Sequence, residues 1–495
     1  MKYSLIICIL FIFYANGQPE NHISESLDGI TIPTQIISDW ESVDRTSALG
    51  YKAVITSIAS TLSADNAQTI NSELRSISNL PTSDKAWKDL YLRACHFRRV
   101  SRMKPYLDKI KRIVFTSHYT MGGLFQGFQE GIGNNKCSNY KSGASLCLLT
   151  MDNYYSQFKK IRESTVGVIK DPDVSYDGNR ILFAETKDNN GFHLYELDAA
   201  HPQNVRQITS NPPNLRISDF DACYLPNGDI LFQSSRNFGL VDCFTNISSN
   251  LFICNSDGKY LRRIGYDQVQ TFYPTIMDDG KILYTRWEYN DRSQVYSMGL
   301  FTMNPDGTNQ NEFYGNQSWW PTSIIQARNI PGTAKVMAIF SGHHTTYSGE
   351  IGIIDPNLGR QEGEGITLIA PERKPNIVRK DNGGVNFLFQ TPYPFDENCF
   401  LAGYRPDASS NFSLYFMNVN GERELLAWSY GQSINRPVLT LVDLGGRKIL
   451  TVPHQSANES YSELLLPASL PSGTYIGHFS SFDNNYNVSQ KIFIQ

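Results

Sequence analysis

Short apolar runs alternate with turn dipeptides through the middle of the chain. The clearest stretch is Pro274–Gly307. It reads Pro274-Thr-Ile276, then Asp279-Gly280, then Ile282-Leu-Tyr-Thr-Arg-Trp287, then Leu300-Phe-Thr-Met-Asn-Pro-Asp-Gly307. Runs of this length, separated by Asp-Gly, predict antiparallel strands joined by tight hairpins. The unit recurs as a pair of strands. The first members are Ile113–His118, Ile181–Thr186, Ile230–Ser235, Ile282–Trp287, Val336–Phe340 and Cys399–Tyr404. Their partners are Leu146–Asp152, His193–Asp198, Leu251–Asn255, Leu300–Asn304, Glu350–Asp355 and Leu414–Asn418.

The six pairs recur at roughly 50 to 65 residues, a period of radial sheet arrays. A third, proline-led strand precedes most pairs: Pro172-Asp-Val, Pro274-Thr-Ile, Pro321-Thr-Ser and Pro375-Asn-Ile. Proline loses no ladder donor at a strand's first residue. The pair at Ile113 has no such strand before it, and a spare one, Pro437–Thr440, follows the last pair. The expected fold is mainly β: a six-bladed β-propeller over 110–440, closed by pairing Pro437–Leu441 with the sheet begun at Ile113. Closure of this kind removes an open edge.

The flanks differ. Residues 1–17, with Met1-Lys2, an apolar run Ser4–Tyr14 and small residues Ala15-Asn16-Gly17, read as a secretory signal cut near Gly17/Gln18. The run is too short to span a bilayer. The expected setting is therefore secreted or extracytoplasmic, without a membrane span. Residues 18–109 are partly helical, with helices over Ala48–Leu62 and Thr69–Ile77 and a third opened by Ser83 as N-cap and interrupted by Pro105. Cys95-His96-Phe-Arg-Arg99 reads as a helix face resting on the first blade. Residues 441–495 form a small β tail built from Val442–Thr451, Leu470–Tyr475 and Lys491–Gln495.

Charge and cysteine narrow the function. With 44 basic and 48 acidic residues, a net charge of −4 and no Lys/Arg runs, nucleic acid is not the expected partner. Export permits disulfides, with Cys137–Cys147 and Cys223–Cys243 (or Cys254) as the candidates. No Cys-x-x-Cys or Cys-x-x-Cys-His occurs, so no c-type haem attachment is written in the chain. Neither a Gly-x-Ser-x-Gly elbow, a phosphate loop nor His-Glu-x-x-His is present.

Several stretches together carry a resemblance: Asp171–Phe183, Asp221–Gly228, Tyr284–Arg292, Asn304–Thr308, Ile330–Thr333, and Ser341-Gly-His-His344 ahead of Gly349–Asp355. Over Ile110 to Thr440 the chain resembles the propeller domain of the hydrazine synthase alpha subunit family. Its Asp-Gly strand pattern is shared with TolB-like propellers. The resemblance implies the fold and an extracytoplasmic setting. That family's chemistry uses c-type haem, for which this chain has no attachment motif. The tail resembles the end of a type A sorting domain, which implies delivery through type IX secretion machinery.

Candidate site residues follow from the ring. Equivalent strand ends converge, so His118, Arg236, Arg286 and His343 are expected near one mouth. Arg286-Trp-Glu-Tyr-Asn-Asp-Arg292 sets Arg286, Glu288, Asp291 and Arg292 around two aromatics. These charges either bind a polar ligand or lock adjacent blades as ion pairs, and we favour the second. His343, His344 and Glu350 are ligand types for a divalent metal. Trp319-Trp320, with Tyr314 and Tyr347, reads as packing or as a stacking platform. The leading expectation is a secreted propeller that binds a small polar ligand or a partner protein without haem chemistry. The alternative is a metal-dependent lyase or hydrolase, or an oxidoreductase borrowing haem from a partner.

Overall fold

Each of the six apolar strand pairs folds as an antiparallel ladder and gains a flanking strand on either side. The computed structural model describes residues 6–10, 24–27, 29–44, 50–107, 110, 112–119, 142–152, 154–187, 191–212, 215–241, 247–289, 297–342, 348–377, 388–407, 410–428, 438–442, 448–453, 473–480 and 487–494. In chain order these begin with β1 (Ile6–Leu10), β2 (Ser24–Leu27), β3 (Ile30–Pro33), α1 (Thr34–Asp44), α2 (Tyr51–Ala59), α3 (Ala64–Ile77) and α4 (Lys85–Leu107). There follow β4 (Arg112–His118), β5 (Ala144–Asp152), β6 (Tyr155–Ser164), β7 (Val168–Val174), β8 (Arg180–Thr186), β9 (His193–Asp198), β10 (Val205–Gln207), β11 (Asp219–Tyr224), β12 (Ile230–Ser234), β13 (Asn250–Cys254) and β14 (Arg262–Arg263). Next come β15 (Thr271–Ile276), β16 (Ile282–Trp287), β17 (Met298–Met303), β18 (Asn311–Tyr314), β19 (Ser323–Asn329), β20 (Val336–Ser341), β21 (Glu350–Ile354), β22 (Ile366–Leu368), β23 (Phe389–Pro394), β24 (Cys399–Tyr404), β25 (Ser413–Asn418) and β26 (Arg423–Ala427). The last four are β27 (Val438–Val442), β28 (Lys448–Pro453), β29 (Gly473–Ser480) and β30 (Asn487–Ile494).

The strands group into consecutive four-stranded units: β7–β10, β11–β14, β15–β18, β19–β22 and β23–β26, preceded by β4-β5-β6 with β1 on the free edge of β4. The fourth and fifth units share one sheet only through a single parallel pair, Met298 opposite Ser323. First strands pack on first strands, β7 on β11, β11 on β15, β15 on β19 and β19 on β23, while β26 meets β6. Because each unit is covered on both faces, β12 and β20 are buried at every position, and their apolar runs are continuous instead of alternating. Ile113 and Phe115 of the first unit share an apolar cluster with Leu414 and Phe416 of the sixth. Among the described residues no sheet closes on itself.

Turn chemistry sets the hairpins. Asp279 Oδ1 accepts the Lys281 N–H at 3.0 Å, and Asp306 Oδ1 accepts the Thr308 N–H at 2.9 Å, the Asx geometry that nucleates a turn. Gly258, at φ +74°, turns against the preceding unit. A Cβ there would sit 2.1 Å from the Ile208 carbonyl oxygen.

Several expectations need correction. Val438–Val442 does not complete the sheet begun at Ile113. It pairs with β28 and β29 in a separate four-stranded sheet ordered β28-β27-β29-β30. The edge of β4 is taken instead by β1, in parallel, with Cys8 opposite Val114. A hairpin across the few residues between β27 and β28 costs far less loop entropy than pairing across the whole chain. The boundary drawn at residue 440 therefore falls inside β27. Prolines do not open the first strands: Pro172 and Pro274 lie inside β7 and β15. Pro375 belongs to no strand, and the sixth unit's first strand is β23.

The amino-terminal segment holds one more helix and one more hairpin than expected, α1 and β2–β3. The third expected helix opens at Lys85. Asp84, not Ser83, caps it, its Oδ1 accepting the Ala86 N–H at 2.9 Å. Pro105 does not end it, because only two residues remain and one lost hydrogen bond is the whole cost. Arg98 turns back to α1, where Asp44 receives its two Nη groups at 2.8 and 2.9 Å. Arg99 crosses the junction of the first and sixth units: Nε donates to Tyr154 O at 2.8 Å and Nη2 to Leu425 O at 3.0 Å. No helix among the described residues is long and apolar enough to cross a membrane.

Candidate functional site

The five first strands β7, β11, β15, β19 and β23 break register at the same place. The shifts fall between Lys170 and Asp173, Phe220 and Cys223, Phe272 and Thr275, Ile325 and Arg328, and Gln390 and Tyr393. At each bulge one residue takes positive φ: Asp171 at 51°, Asp221 at 53°, Tyr273 at 52°, Gln326 at 53° and Thr391 at 42°. Proline or alanine follows every time: Pro172, Ala222, Pro274, Ala327 and Pro392. A bulge leaves its extra residue without a ladder partner, so proline there forfeits nothing. Five strained non-glycine residues persist only where their surroundings hold them.

Side chains of the strained residues supply that hold. Asp171 Oδ2 accepts the Asp221 N–H at 2.9 Å, Asp221 Oδ2 accepts the Tyr273 N–H, and Gln326 Oε1 accepts the Thr391 N–H at 2.7 Å. Each bond ties one unit's bulge to the backbone of the next. Lys170 Nζ also meets Asp171 Oδ2 at 2.9 Å. The next layer, two residues on, is Asp173, Cys223, Thr275, Arg328 and Tyr393. Together with the bulge residues it lines a cavity open to solvent.

This layer carries the chemistry. Arg328 lays its guanidinium over the Tyr393 ring, Cζ to centroid 5.2 Å, and has no hydrogen-bond or ion-pair partner among the described residues. Asp173 Oδ2 accepts the Tyr224 N–H at 2.9 Å. Burial pushes its carboxyl up to about 6, against the opposing pull of that N–H and of the Arg328 charge. Burial also drives the Cys223 thiol well above its ordinary value, with the Asp173 charge adding to it, so the thiol is no nucleophile at neutral pH.

The residues expected from sequence lie elsewhere. Arg236 is bound to Asp219, Nη2 to Oδ2 at 2.6 Å, and to Ser210 O. Arg286 pairs with Asp267 at 3.1 Å and lies 4.0 Å from Glu288. His118 is buried, its Nδ1 2.8 Å from Tyr119 O, and burial lowers its pKa to about 4. Asp291, Arg292, His343, His344 and Tyr347 lie outside the described residues. Glu350 is committed to Arg373 at 2.5 Å. No group of three His, Cys, Asp or Glu suited to a metal ion occurs among the described residues. Trp320 is buried against Phe340 and Tyr314 donates to Glu364 O at 2.8 Å, so both are packing residues.

Of the disulfide candidates, only the Cys223–Cys254 alternative has both cysteines among the described residues. Cys147, Cys223 and Cys254 are free thiols, while Cys137 and Cys243 lie outside the described residues. Cys223 and Cys254 sit on β11 and β13 with β12 between them, about two strand spacings apart and beyond disulfide reach. None of the expected ligand residues that are described lines this cavity. Cys223 does, though it was singled out for another role.

No family model and no curated protein matches the chain. Among solved structures, the chain is similar to hydrazine synthase of Kuenenia stuttgartiensis, with TM-score 0.48 and 17% identity over 64% of this chain and 45% of that one. It thus spans less than half of that protein's length. It is also similar to TolB of Acinetobacter baumannii, with TM-score 0.39 and 12% identity over 65% of this chain and 82% of that one. A puromycin hydrolase follows, with TM-score 0.35 and 14% identity over 62% of this chain and 54% of that one.

Proposed function

We propose that the protein is an exported six-bladed β-propeller that holds a small polar ligand in its central channel and carries no haem chemistry of its own. Five four-stranded units and the three strands β4–β6, with the sixth packed back on the first, support the ring; the mature chain, cut after Gly17, lacks β1 and leaves the outer edge of β4 unpaired. One observation carries the ligand reading. Five bulges from five units converge on one cavity and present an unpaired guanidinium and a carboxylate to it. Export is carried by Met1-Lys2 and the apolar run after it, and the tail sheet β27–β30 fits a delivery tag for secretion machinery.

The test is to fill the channel. Ala327→Trp places an indole among the lining residues. A thermal-shift screen of small polar compounds should find ligands of the wild type that the variant no longer binds. A screen in which every hit binds both proteins equally removes the channel as the site. Sequencing the amino terminus of protein recovered from the medium tests export, with Gln18 as the expected first residue.

A further inference from the structure

We infer that the channel selects a small molecule bearing both a carboxylate and an ammonium group, seated between Arg328 and Asp173. The inference rests on the channel being a ligand site and adds the charge pattern of the ligand. Arg328 offers five N–H donors in a fixed plane, and the Tyr393 ring beneath it fixes that plane while accepting none of them. A stacked guanidinium with its edge free is a fork for a carboxylate, which it binds bidentately.

Asp173 is the complementary half. It takes backbone N–H groups, from Tyr224 and Val174, and no ion pair among the described residues. It lies close enough to Arg328 to feel its charge, yet the two do not join. The other channel carboxylates are engaged: Asp171 with Lys170 and the Asp221 N–H, Asp221 with the Tyr273 N–H. Arg328 and Asp173 thus face the cavity with opposite charges and without an ion pair among the described residues, with the Asp221 carboxylate beside them. A simple anion gains Arg328 but is repelled by Asp173 and Asp221. A simple cation gains Asp173 but is repelled by Arg328. A molecule with both heads gains both attractions and suffers neither repulsion. Ala327, Thr275 and the Tyr393 ring line the space between the heads and suit a short aliphatic spacer.

Calorimetric titration of the full chain at about pH 7.5 keeps both heads charged. The probes are glycine, β-alanine and γ-aminobutyrate, with acetate and ethylamine as single-headed controls. At least one amino acid should bind about tenfold or more tighter than either control. Arg328→Met should reduce it to the level of ethylamine, and Asp173→Asn to the level of acetate. Arg328→Lys, which keeps the charge and loses the fork, should retain part of the affinity and guards against a folding defect. Amino acids that bind no better than acetate or ethylamine overturn the assignment, as do Arg328→Met and Asp173→Asn proteins that bind like the wild type. If acetate or ethylamine binds the wild type but not Ala327→Trp, the channel remains a ligand site and only the two-headed assignment falls. If no probe separates wild type from Ala327→Trp, both readings fall together.

Discussion

Arg99 and Glu424, both wholly buried, lie 3.3 Å apart across 325 residues of chain. The guanidinium also serves Tyr154 O and Leu425 O, and Glu424 Oε2 also accepts from Trp40 Nε1 at 2.9 Å. Arg102 reaches Glu424 Oε1 at 2.9 Å. The pair is thus fully hydrogen-bonded, the condition under which a buried ion pair is tolerated. Removing one partner strands the other. Arg99→Met or Glu424→Gln should cost about 3–5 kcal/mol, measured by urea unfolding of the full chain. A loss under about 1 kcal/mol for both would mean the contact does not hold the junction.

Two buried titrations pull stability in opposite directions. The Asp173 carboxyl is raised to about 6, so the folded chain holds that proton more tightly than the unfolded chain. Its contribution is present at low pH and is lost as pH rises from the ordinary carboxylate range through 6. Asp173→Asn should therefore raise the melting temperature at neutral pH, by the equivalent of about 1–3 kcal/mol, and leave it unchanged near pH 4. An unchanged melting temperature at pH 7 sinks this account.

His118 runs the other way. Its imidazole is kept neutral down to about 4, below the unfolded value. Its contribution is present above pH 6.5 and disappears as pH falls from there through 4, a loss of about 2–3 kcal/mol. His118→Gln should flatten the acid limb of the stability curve. An imidazole resonance that titrates near 6.5 in the folded protein would contradict the burial on which this depends.

Glycine at the turns separates steric need from conformational need. Gly258 combines positive φ with a Cβ position 2.1 Å from Ile208 O, whereas Gly332, at φ +75°, has open space around it. Gly332→Ala should cost about 1 kcal/mol, from backbone strain alone. Gly258→Ala should cost clearly more, because the preceding unit must also shift. Equal costs in parallel unfolding curves would refute the close packing of the units.

Peptide mapping without reductant should recover Cys147 and Cys223 as free thiols. A peptide linking Cys223 to Cys254 would contradict the order β11-β12-β13.

How much of this was legible in the sequence depends on range. The six ladders were, because apolar runs and Asx-Gly turns lie within a few residues of each other. Closure was not: the choice between β1 and β27 for the edge of β4 turns on competing long-range pairings that periodicity cannot rank. The cavity at the five bulges is hidden in the sequence for a different reason. Prolines inside β7 and β15 look like strand openings in the sequence, although the triplets Asp171-Pro-Asp173, Asp221-Ala-Cys223, Tyr273-Pro-Thr275, Gln326-Ala-Arg328 and Thr391-Pro-Tyr393 share one shape. Hydrogen-bonded neighbours in that series stand 50, 52 and 65 residues apart, the repeat itself. Tyr, Gln and Thr are not residues that advertise positive φ. The charged cluster at Arg286 drew attention because it is dense in sequence, whereas Arg328 and Asp173 meet only in space.

The acceptors of Arg99 on the sixth unit impose an order of events. During synthesis α4 emerges long before Glu424 and Leu425 exist, so its central arginine waits with its partners unmade. The helical segment cannot finish docking until nearly all of the β units have been synthesised. Assembly therefore ends at the beginning of the chain, and a helper that shields α4 in the interval would act on the nascent protein alone.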